Sequence, residues 1–138
     1  MTRLALQEWE GLQRDGMPPA LSDLAPHHNS LEWANRFLLA CDPVAARSVF
    51  VLCGRHVEAS FGQRIIGQAL CDIAPRHVSL LRACAEACQL QRPVEVEDAQ
   101  PAGDGRLLIY RAVVMPVRGA DHGHDYLMGA YGCTTFTP

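Results

Sequence analysis

Apolar residues recur with a helical period at the start of the chain, where Ala5, Leu6, Trp9 and Leu12 share one arc of a wheel and Gln7, Glu8, Glu10 and Gln13 fall mostly elsewhere. The pattern predicts a short amphipathic helix over residues 3–14, ended by Gly16 and the Pro18-Pro19 pair. The stretch LSDLAPHHNSLEWAN is punctuated by Pro26 and carries Asn29 and Ser30 as caps ahead of Leu31 and Trp33. It reads as an irregular crossing with a turn or two of helix. Two short apolar runs follow, FLLAC at 37–41 and SVFVLC at 48–53, separated by the turn-forming Asp42-Pro43; together they predict a hairpin.

From 55 to 91 the period is helical again. Val57 and Phe61 stand four apart, and Val78, Leu81, Cys84, Ala85 and Cys88 form a stripe that Arg92-Pro93 stops, so a series of short helices leads into a longer one. The period then drops to two. Val94 and Val96 alternate with Glu95 and Glu97, the turn-rich PAGDG at 101–105 leads into RLLIYRAVVMPV, and RGADHGHD at 118–125 separates that run from YLMGAYGCTTF. The order is helix, two strands, several short helices, three strands. It predicts an α+β chain with one antiparallel sheet and helices on one face.

With 138 residues, 49% of them hydrophobic, the chain holds one core and not two. Twelve basic residues, all arginine and scattered, stand against fifteen acidic ones, for a formal charge of -3, which argues against nucleic acid or an acidic membrane as partner. Glu8 and Glu10 interrupt what a secretory signal would need as an apolar core, and no run is long enough to span a bilayer, so a cytoplasmic location is expected. The six cysteines, Cys41, Cys53, Cys71, Cys84, Cys88 and Cys133, then read as small apolar side chains and not as disulfides.

The element order and its local signals resemble the PAS family, in particular small bacterial PAS-type domains whose proteins begin with a tryptophan-bearing helix and a proline-containing stretch. The matching segments are WEGLQRDGMPPALSDLAP at 9–26, CGRHVEASFGQRIIGQAL at 53–70, and the terminal pair LLIYRAVVMPVRG and YLMGAYG, so nearly the whole chain takes part. The most distinctive element is the spacing of Gly54, Gly62 and Gly67 after the second strand. The resemblance implies a five-stranded antiparallel sheet of order 2-1-5-4-3, with residues 1–30 as an N-terminal helix and crossing and 31–138 as the PAS-like domain. Gly62 and Gly67 are expected at positive φ, with Val57, Phe61, Ile65 and Ile66 turned into the core.

The resemblance places any small ligand between sheet and helices. The residues expected there are Phe50, Leu52, Phe61, His77, Leu81, Cys84, Tyr110, Met128 and Tyr131, and the tyrosines offer a hydroxyl that would be unpaired in the empty protein. A filled core without a cavity stands as the equal alternative. Haem is a second reading, because His77 begins the helix that supplies an axial histidine in haem-binding PAS members; a plain helix-start histidine outweighs it. His56 reads as a surface residue of the first short helix. His122 and His124, flanked by Asp121 and Asp125, lie in a polar turn, and Cys84 and Cys88 lie on an apolar stripe, so neither set is assigned a metal.

No nucleophile elbow, cysteine–histidine pair or carboxylate pair supports catalysis, and no catalytic residue is assigned. The expected function is a stand-alone sensory or adaptor module that passes its signal to a separate protein, because no kinase, cyclase or DNA-binding segment is present. Homodimerisation through Leu6, Trp9 and Leu12 would cover the N-terminal helix, with packing on its own sheet as the competing arrangement. A small cone-shaped α+β enzyme is the contrasting class, distinguished by long helices placed ahead of most of the sheet.

Overall fold

The computed structural model describes residues 2–24, 31–61, 64–73, 77–119 and 125–138. Helix α1 (Thr2–Leu12) and the single turn α2 (Leu21–Leu24) precede a 3-10 turn at Leu31–Asn35 and the hairpin of β1 (Arg36–Ala40) and β2 (Val49–Cys53). Helices α3 (Arg55–Phe61), α4 (Leu70–Ile73) and α5 (Val78–Leu90) follow, then β3 (Val94–Pro101), β4 (Leu107–Arg118) and β5 (Asp125–Phe136). The five strands pair antiparallel in the order β2-β1-β5-β4-β3. The longest helix interrupts the sheet and does not precede it, which is the order that separates this architecture from the cone-shaped alternative.

Both faces of the central strands are covered. Phe37, Leu39, Phe50, Tyr110, Ala112, Val114, Leu127 and Tyr131 look toward α3–α5, where they meet Val57, Phe61, Leu80 and Cys84. Leu38, Val113, Met115, Val117, Met128 and Ala130 look the other way and meet Ala5, Trp9, Leu24 and Trp33. Each central strand therefore feeds two cores, and its run of apolar residues is continuous. Strand β3 alternates because its outer side is bare, leaving Glu95 and Glu97 exposed while Val94 and Val96 pack inward.

The N-terminal helix is held on the outer face by specific bonds. The Trp9 indole Nε1 donates to the carbonyl of Pro116 at 2.7 Å, and Arg36, its side chain 3% exposed, bonds Glu8 Oε2 at 2.8 Å. The proline stretch is also anchored, since the Arg118 side chain and backbone N–H donate to the carbonyls of Pro18 and Pro19 at 2.7 and 2.8 Å. The apolar face assigned from sequence to a dimer contact is thus spent on the chain's own sheet: Trp9 is buried, and Leu6 and Leu12 are partly covered.

Two further expectations are corrected by packing. In α5 the buried face is Leu80, Ala83, Cys84 and Ala87, and Val78 is 55% exposed, because two alanines let the helix lie close to the sheet on that side. Ile65 is buried, whereas Ile66, 43% exposed, turns outward beside the tight bend at Gly67, whose φ is +86°. Gly67 takes the positive φ expected of it; Gly62 lies outside the described residues.

Candidate functional site

Four aromatic rings from four segments meet on the inner face of the sheet. Phe61 ends α3, His77 immediately precedes α5, and Tyr110 and Tyr131 stand on β4 and β5. Tyr131 stacks on Tyr110 and on Phe61 with centroids 5.6 Å apart in each case. The His77 ring stands edge-on to Phe61 at 4.4 Å, to Tyr110 at 5.3 Å and to Tyr131 at 6.4 Å. Such offset and edge-to-face pairs match the quadrupoles of the rings, so the cluster is cohesive as well as apolar.

The cluster opens onto a groove of about 460 Å³ lined by Ser60, Phe61, His77, Gln100 and Leu108. Behind Phe61, the hydroxyl of Tyr131 is buried and has no hydrogen-bond partner among the described residues, and burial pushes its pKa up. Tyr110 is also raised by burial; its hydroxyl lies near Ser79 and the backbone of Leu80 without closing a well-aligned hydrogen bond. At the rim, Ser60 Oγ stands 3.1 Å from Cys133 Sγ and donates to the carbonyl of His56 at 2.9 Å.

Next to the rings, Asp98 accepts a hydrogen bond from the Ser79 hydroxyl, and the Ala99 N–H donates to it at 2.8 Å; these bonds hold its carboxyl below the usual range. A depressed folded pKa contributes stability above the ordinary carboxylate pKa, and that stability is lost as pH falls through the lower folded value. Asp98 is exposed, so the contribution is small. Ser79→Ala is expected to flatten the acid limb of a urea-stability series between about pH 2 and 6 by no more than about 0.5 kcal/mol.

The residues expected at a ligand site separate into groups. Phe61, His77, Tyr110 and Tyr131 touch one another, Phe50 and Cys84 share their core, and Leu81 sits at its margin. Leu52 does not belong, being 41% exposed. A bulge at Val51 is the cause: Leu39 pairs with Phe50 while Leu38 pairs with Leu52, so two residues that simple alternation puts on one face point to opposite faces. Met128 is the second correction, since it faces the outer core with α1. Gln100 and Leu108 were missed. Leu108 has the parity of Tyr110, and Gln100 is its register partner on β3, so the alternation of β4 held that information.

A haem on His77 would have to displace Phe61 or Tyr131, because three rings already crowd the imidazole; the side chains present do not fit that group. His56 is exposed, with Nδ1 3.3 Å from Asn35 Oδ1. Among the described residues no three histidine, cysteine or acidic side chains converge as metal ligands, and His122 and His124 lie outside those residues.

An antiparallel sheet in the order 2-1-5-4-3, with three helices inserted between the second and third strands, is the PAS fold. Solved structures that share it include LOV and PAS domains. A fungal LOV-domain photoreceptor aligns with 96% of this chain and 91% of its own at 15% identity and a TM-score of 0.56. A PAS domain from a two-component sensor histidine kinase aligns over 82% and 97% at 9% identity and 0.52, and the PAS domain of Bordetella pertussis BvgS over 80% and 85% at 12% and 0.51. No protein-family model matches the chain, and no curated protein matches it by sequence.

Proposed function

We propose that this chain is a sensory or adaptor module of signal transduction that takes a small planar or apolar molecule against the Phe61, His77, Tyr110 and Tyr131 rings. The observation that carries the reading is the buried, unpartnered hydroxyl of Tyr131, one ring behind an open groove. A buried polar group without a partner is costly, and a ligand acceptor reaching past Phe61 would relieve it. The fold supports the signalling role, as PAS and LOV sensory domains share it. No helix among the described residues is long and apolar enough to cross a membrane; a cytoplasmic location is part of the proposal. Self-association and contact with a separate signalling protein belong to this reading. They would use surfaces other than Leu6, Trp9 and Leu12, which are committed to the sheet.

Mass spectrometry of the natively purified protein tests the proposal by identifying any small molecule that travels with it. Leu108→Trp, which fills the groove, should release that molecule while leaving the fold intact. Tyr131→Phe gives an independent readout: removing an unsatisfied hydroxyl should raise the ligand-free unfolding free energy by about 1 kcal/mol and weaken ligand affinity about tenfold. A loss of stability in Tyr131→Phe would mean that the hydroxyl is already bonded within the protein, and the ligand reading would fall.

A further inference from the structure

Away from the ring cluster, two thiols from distant parts of the chain meet. Cys41 directly follows β1, where its backbone N–H is bonded to the carbonyl of Asp125 at 2.9 Å, and Cys88 lies in the last turns of α5. Their sulfurs are 3.5 Å apart and share a hydrogen bond. Both side chains are only partly buried and border an open groove of about 590 Å³ with Asp42, Ala45, Ala85 and Gln91. A small reagent can therefore reach the pair. Closing 3.5 Å to the roughly 2.05 Å of a disulfide takes about 1.5 Å of approach between the sulfurs.

We propose that Cys41 and Cys88 are a peroxide-responsive dithiol that closes to a reversible disulfide. The two thiols are unequal. With both thiols protonated the Cys88 S–H donates to Cys41 Sγ; once Cys88 ionises, the Cys41 S–H turns to donate in return, which lowers the Cys88 pKa against the opposing effects of burial and Asp125, while Cys41 is pushed up by the same bond and by burial. Cys88 is thus the attacking sulfur. Its thiolate displaces hydroxide from hydrogen peroxide, the O–O bond breaks, and Cys88 becomes a sulfenic acid as the hydroxide is protonated to water. The Cys41 sulfur then attacks the sulfenyl sulfur; the S–S bond forms, the S–O bond breaks, and the departing hydroxide takes the Cys41 proton as a second water. Two thiols lose two electrons in all, and one peroxide is reduced to two waters. A dithiol reductant reverses the change by thiol–disulfide exchange.

The bond would tie the end of β1 to the end of α5, clasping the helical segment over the sheet. Exposed Cys71 and Cys133 serve as internal controls. The purified full chain is titrated with hydrogen peroxide, free thiols are alkylated, and peptides are mapped by mass spectrometry. The expected result is a Cys41–Cys88 linked peptide at the lowest peroxide doses, erased by dithiothreitol and accompanied by a melting temperature higher by on the order of 10 °C. Cys41→Ser should arrest the reaction at a Cys88 sulfenic acid captured by dimedone, and Cys88→Ser should abolish the linked peptide. The proposal is overturned if Cys41 and Cys88 remain alkylatable while Cys71 and Cys133 oxidise, or if disulfides form only between molecules. The mapping on the unaltered chain decides the matter even if a serine variant folds poorly. No outcome depends on a ligand at the ring cluster.

Discussion

Gly54→Ala is expected to lower the unfolding free energy by roughly 3 kcal/mol or more, which a shift of the urea midpoint would register. Gly54 joins β2 to α3, donates its N–H to the Arg36 carbonyl at 2.7 Å, and accepts from the Glu58 N–H at 3.1 Å. A Cβ at this position would fall on the carbonyls of Trp33 and Ala34. Backbone cannot swing aside as a side chain does, so the turn before β1 or the first turn of α3 must give way. Gly67 is the informative contrast. It has a positive φ of +86° but open space around it, so Gly67→Ala should cost only about 1 kcal/mol. Equal penalties at the two glycines would contradict the crowding at the 33–34 turn.

Trp9→Ala is expected to cost about 3–5 kcal/mol, the range for truncating a buried aromatic. The change empties the outer core beside Leu38, Met115 and Met128 and leaves the Pro116 carbonyl without its indole donor. Trp9→Phe keeps most of the buried area and loses the bond, so its cost should be nearer 1–2 kcal/mol. Sedimentation provides a second measurement: the alanine variant should self-associate through the uncovered face, and the parent chain should not do so through α1. A Trp9→Ala protein as stable as the parent would show that the helix does not hold the sheet.

Most of the element order was legible because the chain changes hydrophobic period where the structure changes. The drop to a two-residue repeat at Val94 coincides with the start of β3, and Asp42-Pro43 lies between the hairpin strands. The facing of residues was harder to read. In β1, β4 and β5 both sides are buried, so a stretch such as LMGAY contains no polar residue to mark which side is outer; parity nonetheless sets Met128 and Tyr131, three positions apart, on opposite faces, so alternation already spoke against placing them at one site. The bulge that reverses Leu52 is a property of two paired strands and leaves no mark in VFVLC alone. Similarly, the stripe of Val78, Leu81, Cys84, Ala85 and Cys88 is rotated about the helix from the observed face of Leu80, Ala83, Cys84 and Ala87, where two alanines let the helix approach. Gly129 is another such case: the Phe37 ring occupies the space its side chain would fill, a pairing visible only once β1 lies beside β5.

The sheet also sorts its chromophores. Both tryptophans of the chain, Trp9 and Trp33, belong to the layer under α1, whereas Tyr110 and Tyr131 belong to the opposite one. Indole emission on selective excitation therefore monitors one side of the molecule, and in a Tyr126→Phe background, which removes the third tyrosine from the tryptophan side, tyrosine absorbance carries a signal from the other. An event that begins among the phenols and reaches the N-terminal helix would change first one optical channel and then the second, and the delay between them would time its passage through the strands without any added label.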